Sequence, residues 1–272
     1  MAGGLALKGG ERAVFLLHGL YSSELELQYL ARRLHAAGYS VYVPQLAGYT
    51  VTSGRYGQAR GGWESWLGAA QEALRPVLEA HGKVAVGGLC IGADLALMLA
   101  ARLGDRLGGL LLLSTTLYYD GWSLPWYKFL LPLAYYTPLG RFYAYAEKEP
   151  FGLKNEQMRR LVAAQMRQSS LSEAGASRLR SHCIYQAHRL IRAVKQNLAR
   201  VRNPALIVHA TEDDVTSLKS VRHLERDLGS ERVERLLLGN SYHMVSLDNE
   251  KARVAEAMIA FLESDDALWS VA

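Results

Sequence analysis

Short apolar or β-branched runs alternate along the chain with longer stretches in which apolar residues return every three or four positions. The short runs are Arg12–Leu17, Val41–Pro44, Lys83–Gly87, Gly109–Ser114, Ala205–His209 and Val233–Leu238. Each is bounded by Gly, Pro or polar turn residues and predicts a buried strand. The longer stretches predict helices. In ELELQYLARRLHAAG, Leu27, Leu30, Ala31, Leu34 and Ala37 share a face, and Gly38 supplies the stop. Trp63 to Ala80, IGADLALMLAARLG after Cys90, and Asn249 to Glu263 read the same way. Strand–helix alternation of this kind predicts an α/β fold, with a mainly parallel sheet flanked by helices. The rhythm breaks between about 116 and 202. That predicts one domain, with its core at about 1–115 and 203–272 and an insertion between them.

Composition narrows the reading. A chain of 272 residues with 50% apolar content is ample for one cored domain and tight for two. It contains no run of eighteen apolar residues, and the start MAGGLALKGGERAVFLLHG has neither a charged leader region nor a long apolar one. A soluble, cytoplasmic chain is expected, with membrane contact secondary. Its two cysteines, Cys90 and Cys183, stand far apart and outside zinc or disulfide spacings. The net charge of +5 comes from arginines scattered along predicted helices, without a basic block interleaved with aromatics, so no nucleic-acid partner is expected.

Candidate chemistry centres on Gly88-Leu89-Cys90-Ile91-Gly92, where the strand KVAVGG turns sharply into a helix. Such a turn strains its central residue and brings backbones close, so glycines are needed two positions before and two after it. It lifts the side chain above the sheet at a helix amino end, which favours a thiolate and a developing oxyanion. On these five residues alone, a nucleophile and a buried structural cysteine stand as equal readings. Two distant signals tip the balance. AVFLLHGL ends in His18-Gly19-Leu20, where a tight turn can aim a backbone N–H at an oxyanion together with the N–H of Ile91. PALIVHATEDDVTS then runs a strand into Asp213-Asp214, and ERLLLGNSYHMVSLD runs one into His243. The chain order is nucleophile, acid, base, each at the carboxyl end of a predicted strand.

With these motifs the chain resembles the small carboxylesterases and monoacylglycerol-lipase-like members of the α/β-hydrolase superfamily. The resemblance runs through GERAVFLLHGLYSS, GLCIGA, ATEDDVTS, SYHMVSLD and the closing AFLE. It implies an α/β-hydrolase fold and a Cys90, Asp213, His243 triad, with the N–H groups of Leu20 and Ile91 as the oxyanion hole. The family pattern places the acid just before an x-Val-x turn, which selects Asp213 over Asp214. Asp120, just past a strand in TTLYYDGW, is a second candidate for the acid. The departures are Cys90, where these esterases carry serine, and Ala93, where they usually carry glycine. A cysteine engineered in place of serine to trap an acyl-enzyme is a further reading of position 90.

The other titratable residues read as structural. His18 belongs to its turn, Asp94 to the first turn of the elbow helix, and the remaining histidines show no ligand spacing, so neither a metal nor another cofactor is expected. The 116–202 segment falls where the family inserts a cap. Its aromatic first half includes Tyr118, Tyr119, Trp122 and Trp126, in a chain that is 9% aromatic overall, and these four are the candidate substrate-binding residues. A roof of aromatics suits an apolar acyl group. Sulfur at position 90 favours thioesters, lactones and activated esters, because an acyl-cysteine is itself a thioester. The expected activity is therefore cleavage of small-molecule esters or thioesters of apolar acyl groups. The alternatives are a Cys-dependent acyltransferase or chain-releasing thioesterase, and a non-catalytic binding protein on the same fold.

Overall fold

A computed structural model describes residues 3–51, 61–124, 144–169, 171–172 and 174–269. The first half holds β1 Gly4–Leu7 and then alternates as the apolar pattern predicts: β2 Ala13–Leu17, α1 Gln28–Ala36, β3 Ser40–Pro44, α2 Trp63–His81, β4 Val84–Leu89, α3 Ile91–Leu103 and β5 Leu107–Leu113. The expected insertion holds β6 Ala144–Ala146, α4 Glu156–Ser169, the short strands β7 Leu171–Ser172, β8 Gly175–Ala176 and β9 Arg178–Arg180, and α5 Ser181–Asn197. The rhythm resumes with β10 Ala205–Ala210, α6 Lys219–Asp227, β11 Val233–Leu238 and α7 Lys251–Glu263.

Seven strands form one sheet in the order β1-β3-β2-β4-β5-β10-β11. All neighbours run parallel except β1, which pairs antiparallel with β3 from Gly4 opposite Pro44 to Leu7 opposite Val41. β1 is absent from the predicted strands. Its four residues lie between glycines and alternate exposed with half-buried at the sheet edge, so they carry no continuous apolar run. The central strands are apolar throughout because both faces are covered. Ala13, Phe15 and Leu17 of β2 pack with α2, α3 and α5, while Val14 and Leu16 point to the layer of α1 and α7. Helix α3 lies at the centre and is buried from Ile91 to Ala100. The last helix of the insertion, α5, belongs to the same layer, with Ala187, Leu190, Ile191 and Val194 in the core against α3. Among the described residues no helix is long and apolar enough to cross a membrane.

Parallel strands put all their carboxyl ends on one edge, and the turns after β2, β4, β10 and β11 meet there. The opposite edge is tied by Asn203, whose buried Nδ2 donates to the carbonyls of Gly104 at 3.1 Å, Leu107 at 2.9 Å and Gly108 at 3.2 Å. This joins the entry of β10 to that of β5. Asn203→Ala is expected to cost ~1–3 kcal/mol in urea unfolding, because one donor is withdrawn from buried carbonyls. A loss within error of zero would show that the tie contributes nothing.

Candidate active site

Cys90 has φ 55° and ψ −123°, a conformation that favours glycine, between the last residue of β4 and the first of α3. The surrounding glycines explain how the chain holds it. A Cβ on Gly88 would meet the Gly92 backbone and the Leu17 carbonyl, and one on Gly92 would run into the Leu17 and His18 carbonyls. The first turn of α3 is therefore pressed against the end of β2, and this brings the Gly19–Leu20 turn beside Cys90. The Cys90 thiol lies 3.4 Å from the Thr116 hydroxyl, which itself donates to the Ser114 carbonyl at 3.2 Å.

The structure brings Asp213 and His243 together. The imidazole Nδ1 lies 2.9 and 3.0 Å from the two Asp213 oxygens. Asp213 is held in turn by the N–H groups of Val215 and Thr216, each at 2.9 Å, which donate to its Oδ1. The loop carrying His243 is pinned on both sides. The Ser114 hydroxyl donates to the His243 carbonyl at 2.7 Å, and Asp248 accepts from the N–H groups of Tyr242, Lys154 and Asn155. Nδ1 is thus turned to Asp213, and Nε2 is buried.

Electrostatics follow from this packing. Burial pulls the His243 imidazole down, but the Asp213 carboxylate and then Cys90 more than offset it and hold its pKa well above the ordinary value. For Asp213, burial alone would raise the carboxyl, while His243, His209 and the Thr216 N–H overcome it and leave it lowered. Asp214 is instead raised by burial and accepts the His243 N–H at 3.3 Å. Asp120 stands away from the imidazole, bonded to the N–H and hydroxyl of Ser217 at 2.8 and 2.9 Å. Of the three carboxylates weighed in the sequence, Asp213, Asp214 and Asp120, it is Asp213 that meets the His243 imidazole.

The other expectations divide. His18 is buried, stacked on Tyr49 and lowered to about 4 by burial, as its structural reading requires. Asp94 sits in the first turn of α3, where burial raises its carboxyl well above the ordinary value. Cys183 is buried, with its thiol pushed up to about 11 by burial.

Leu20, Cys90, His243 and Asp214 line one cleft together with Tyr119, Leu124, Leu179, Ile184 and Val215. Tyr118 and Trp122 do not line it. The Tyr118 hydroxyl bonds to His223 at 2.7 Å, and its ring carries Lys195 and Lys219 at 3.6 and 4.1 Å. Trp122 is 59% exposed, edge-on to Tyr242, and donates to the Glu212 carbonyl at 3.1 Å. Tyr119 thus faces the cleft, while Tyr118 is turned to His223. Trp126 and the aromatic run to position 143 lie outside the described residues. Sequence patterning missed Glu26 and Glu147, two carboxyls in the cleft wall, each raised to about 7 by burial. Glu26 lies in ELELQYL, where nothing distinguishes it from a solvated helix acid. No group of three or more His, Cys, Asp or Glu placed to hold a metal is found among the described residues.

Residues 10–250 match the family described as Serine aminopeptidase, S33. The thermostable monoacylglycerol lipase of Bacillus sp. (strain H-257) is 25% identical over 255 residues, covering 93% of this chain and 91% of its own. Among solved structures, one described for LipS and LipT, two metagenome-derived lipolytic enzymes, superposes with a TM-score of 0.78 at 23% identity, over 96% of this chain and 97% of the other. The monoacylglycerol lipase of Paleococcus ferrophilus superposes with a TM-score of 0.76 at 20% identity, over 96% and 97%. At these identities the structural likeness establishes the α/β-hydrolase fold.

The geometry makes Asp213 the principal partner that charges His243. In Asp213→Asn the His243 ring is expected to titrate at lower pH than in the wild type, read from its ring-proton shifts by NMR. An unchanged midpoint would assign the raised value to another group.

Proposed function

The chain belongs to the serine aminopeptidase S33 family of hydrolases, and from that membership and the cleft we propose that it cleaves carboxylic esters or thioesters of apolar acyl groups through an acyl-cysteine. The observation that carries the reading is Cys90 on its strained turn, in one cleft with an imidazole already oriented by Asp213. The lipase and esterase names of the relatives support an ester-like substrate. The apolar wall of Tyr119, Leu124, Leu179, Ile184 and Val215 supports an apolar acyl group.

In the proposed cycle the Cys90 thiol proton passes to His243 Nε2 and the sulfur attacks the acyl carbonyl carbon. The carbonyl electron pair moves to oxygen, where the N–H groups of Leu20 and Ile91 receive it. Collapse re-forms the carbonyl, breaks the bond to the leaving oxygen or sulfur, and returns the proton from His243 to that atom. The acyl group now sits on Cys90 as a thioester. Water gives a proton to His243 and attacks the same carbon, and the acid departs as the thiol is restored. Asp213 holds the ring and stabilises its charged form throughout.

Sulfur makes the choice of substrate directional. An acyl-cysteine formed from an alkyl ester is uphill, whereas one formed from another thioester is close to thermoneutral. The acidity of sulfur points the same way, because a thiol surrenders its proton to an imidazole more readily than a hydroxyl does. Cys90 also supports a second reading, acyl transfer, because a thioester intermediate retains enough energy to acylate an alcohol or amine.

Stoichiometric iodoacetamide is expected to label Cys90 ahead of the buried Cys183 and to abolish turnover of an acyl thioester. The check is peptide mapping beside activity, and turnover surviving complete alkylation of Cys90 would remove it as the nucleophile. The acid is tested by a matched pair of variants. Asp213→Asn should lose turnover by orders of magnitude, up to ~10⁴ for full dependence. Asp120→Asn should lose little. The reverse order of effects, in folded proteins and on one substrate, would transfer the role of the acid to Asp120.

A further inference from the structure

Glu26 lies seven positions beyond Gly19, in the short turn Glu24–Leu27 that precedes α1 and is capped by Ser23. Its side chain is 1% exposed and points into the protein, where its Oε1 accepts the Gly19 N–H. A methyl group on Gly19 would stand 3.2 and 3.5 Å from the two Glu26 oxygens and 3.7 Å from the Cys90 Cβ. The carboxyl, the Gly19–Leu20 turn and the elbow thus share one contact shell, and Glu26 lines the cleft there with Ser22 and Cys90.

This carboxyl behaves differently in its two protonation states. When neutral, it accepts the Gly19 N–H and fastens the turn without bringing charge. When ionised, it places a negative charge beside the point where acyl attack puts another. In a buried site such a repulsion is neither damped by a high dielectric nor screened by salt. Carboxyls kept neutral by an apolar setting are known to serve oxyanion sites elsewhere.

The groups that face Glu26 leave the neutral form dominant up to neutral pH. Burial pushes its pKa up to about 7, against the opposing pull of Ser22, the Gly19 N–H and His243. On its own turn, Glu24 is paired with Gln45 at 3.1 Å. From the end of β2, His18 is itself held neutral, and the buried Tyr49 phenol behind it is raised well above its ordinary value, burial being the main cause. Cys90 faces it from the elbow, and Glu147 and Lys148 line the cleft from the insertion.

We propose that Glu26 is a positioning residue that holds the Gly19–Leu20 turn ready for the acyl oxygen while neutral and turns the site down when charged, so that acyl turnover falls as pH rises. The proposal rests on the acyl-cysteine reading above. Its sign follows from a raised carboxyl, which is neutral below its folded-state pKa and loses that state as pH rises through about 7.

The test is the pH profile of kcat/KM on two probes, p-nitrophenyl acetate and the acetyl thioester of N-acetylcysteamine, for wild type, Glu26→Gln and Glu147→Gln. Glutamine reproduces the neutral carboxyl. The ratio of Glu26→Gln to wild type should be near one well below the midpoint and ~10-fold a unit above it, while Glu147→Gln keeps the wild-type fall. A fall unchanged in Glu26→Gln, or abolished in Glu147→Gln alone, overturns the role of Glu26. A second measurement does not need the glutamine variant at position 26 to fold or to turn over. In Glu147→Gln, an infrared carboxylic-acid band should still disappear near pH 7, and its absence overturns the neutral state of Glu26. Inertness toward both probes overturns the acyl reading and this proposal with it, whereas turnover with an unshifted profile overturns Glu26 alone.

Discussion

The first turn of α3 presses so closely on the end of β2 that nothing larger than hydrogen fits at Gly92, because the Leu17 and His18 carbonyls occupy the space a Cβ would take. Two features of the cleft depend on that contact. It leaves Cys90 no room to relax from φ 55°, so the side chain stands clear of the sheet instead of folding into the helix. It also sets the distance between the elbow and the Gly19–Leu20 turn, since the residue after His18 cannot move without the strand that carries it. β2 and β4 are neighbours through five paired positions, from Ala13 with Val84 to Leu17 with Gly88, and the register of the sheet therefore delivers both turns at the same height.

Around this frame the cleft is richer in carboxyls than in cations. Glu26, Glu147 and Asp214 line it, and burial raises all three. Asp213 alone is lowered, because it is turned to the imidazole and to two backbone N–H groups. One set of surroundings thus drives two opposite outcomes. Glu26, Glu147 and Asp214, where burial outweighs whatever opposes it, are pushed toward the neutral form, and the imidazole, facing the Asp213 carboxylate, is pushed toward the charged one.

Much of this was legible in the sequence, and the parts that were not share a cause. The central strands were readable because both of their faces are covered and every position is apolar, as in AVFLL of β2 and LGGLLLL of β5. β1 escaped because an edge strand needs no such run. The elbow and the Asp213 and His243 turns were readable because each couples a strand end to a residue type with few other reasons to be there. Glu26 was hidden by helical periodicity, which says that a residue is polar without saying that its turn faces inward. Tyr118 and Trp122 mark the converse limit. Aromatic density located the wall of the cleft, and which of two adjacent tyrosines faced it was decided by partners 105 positions away, such as His223.

The cysteine and the carboxyl-rich cleft make sense together. Asp213, held by Val215 and Thr216, raises His243 and so strengthens it both as a base toward the attacking group and as the holder of the proton once taken. A thiol gives its proton to such a base more readily than a hydroxyl does, and the same proton then passes to the leaving group. A negative charge on Glu26, in so buried a place beside the Gly19–Leu20 turn, would compete with the oxyanion for the same few N–H groups. In the proposed chemistry Cys90, His243 and a neutral Glu26 thus serve one oxyanion site, and exchanging sulfur for oxygen changes how readily the first proton moves.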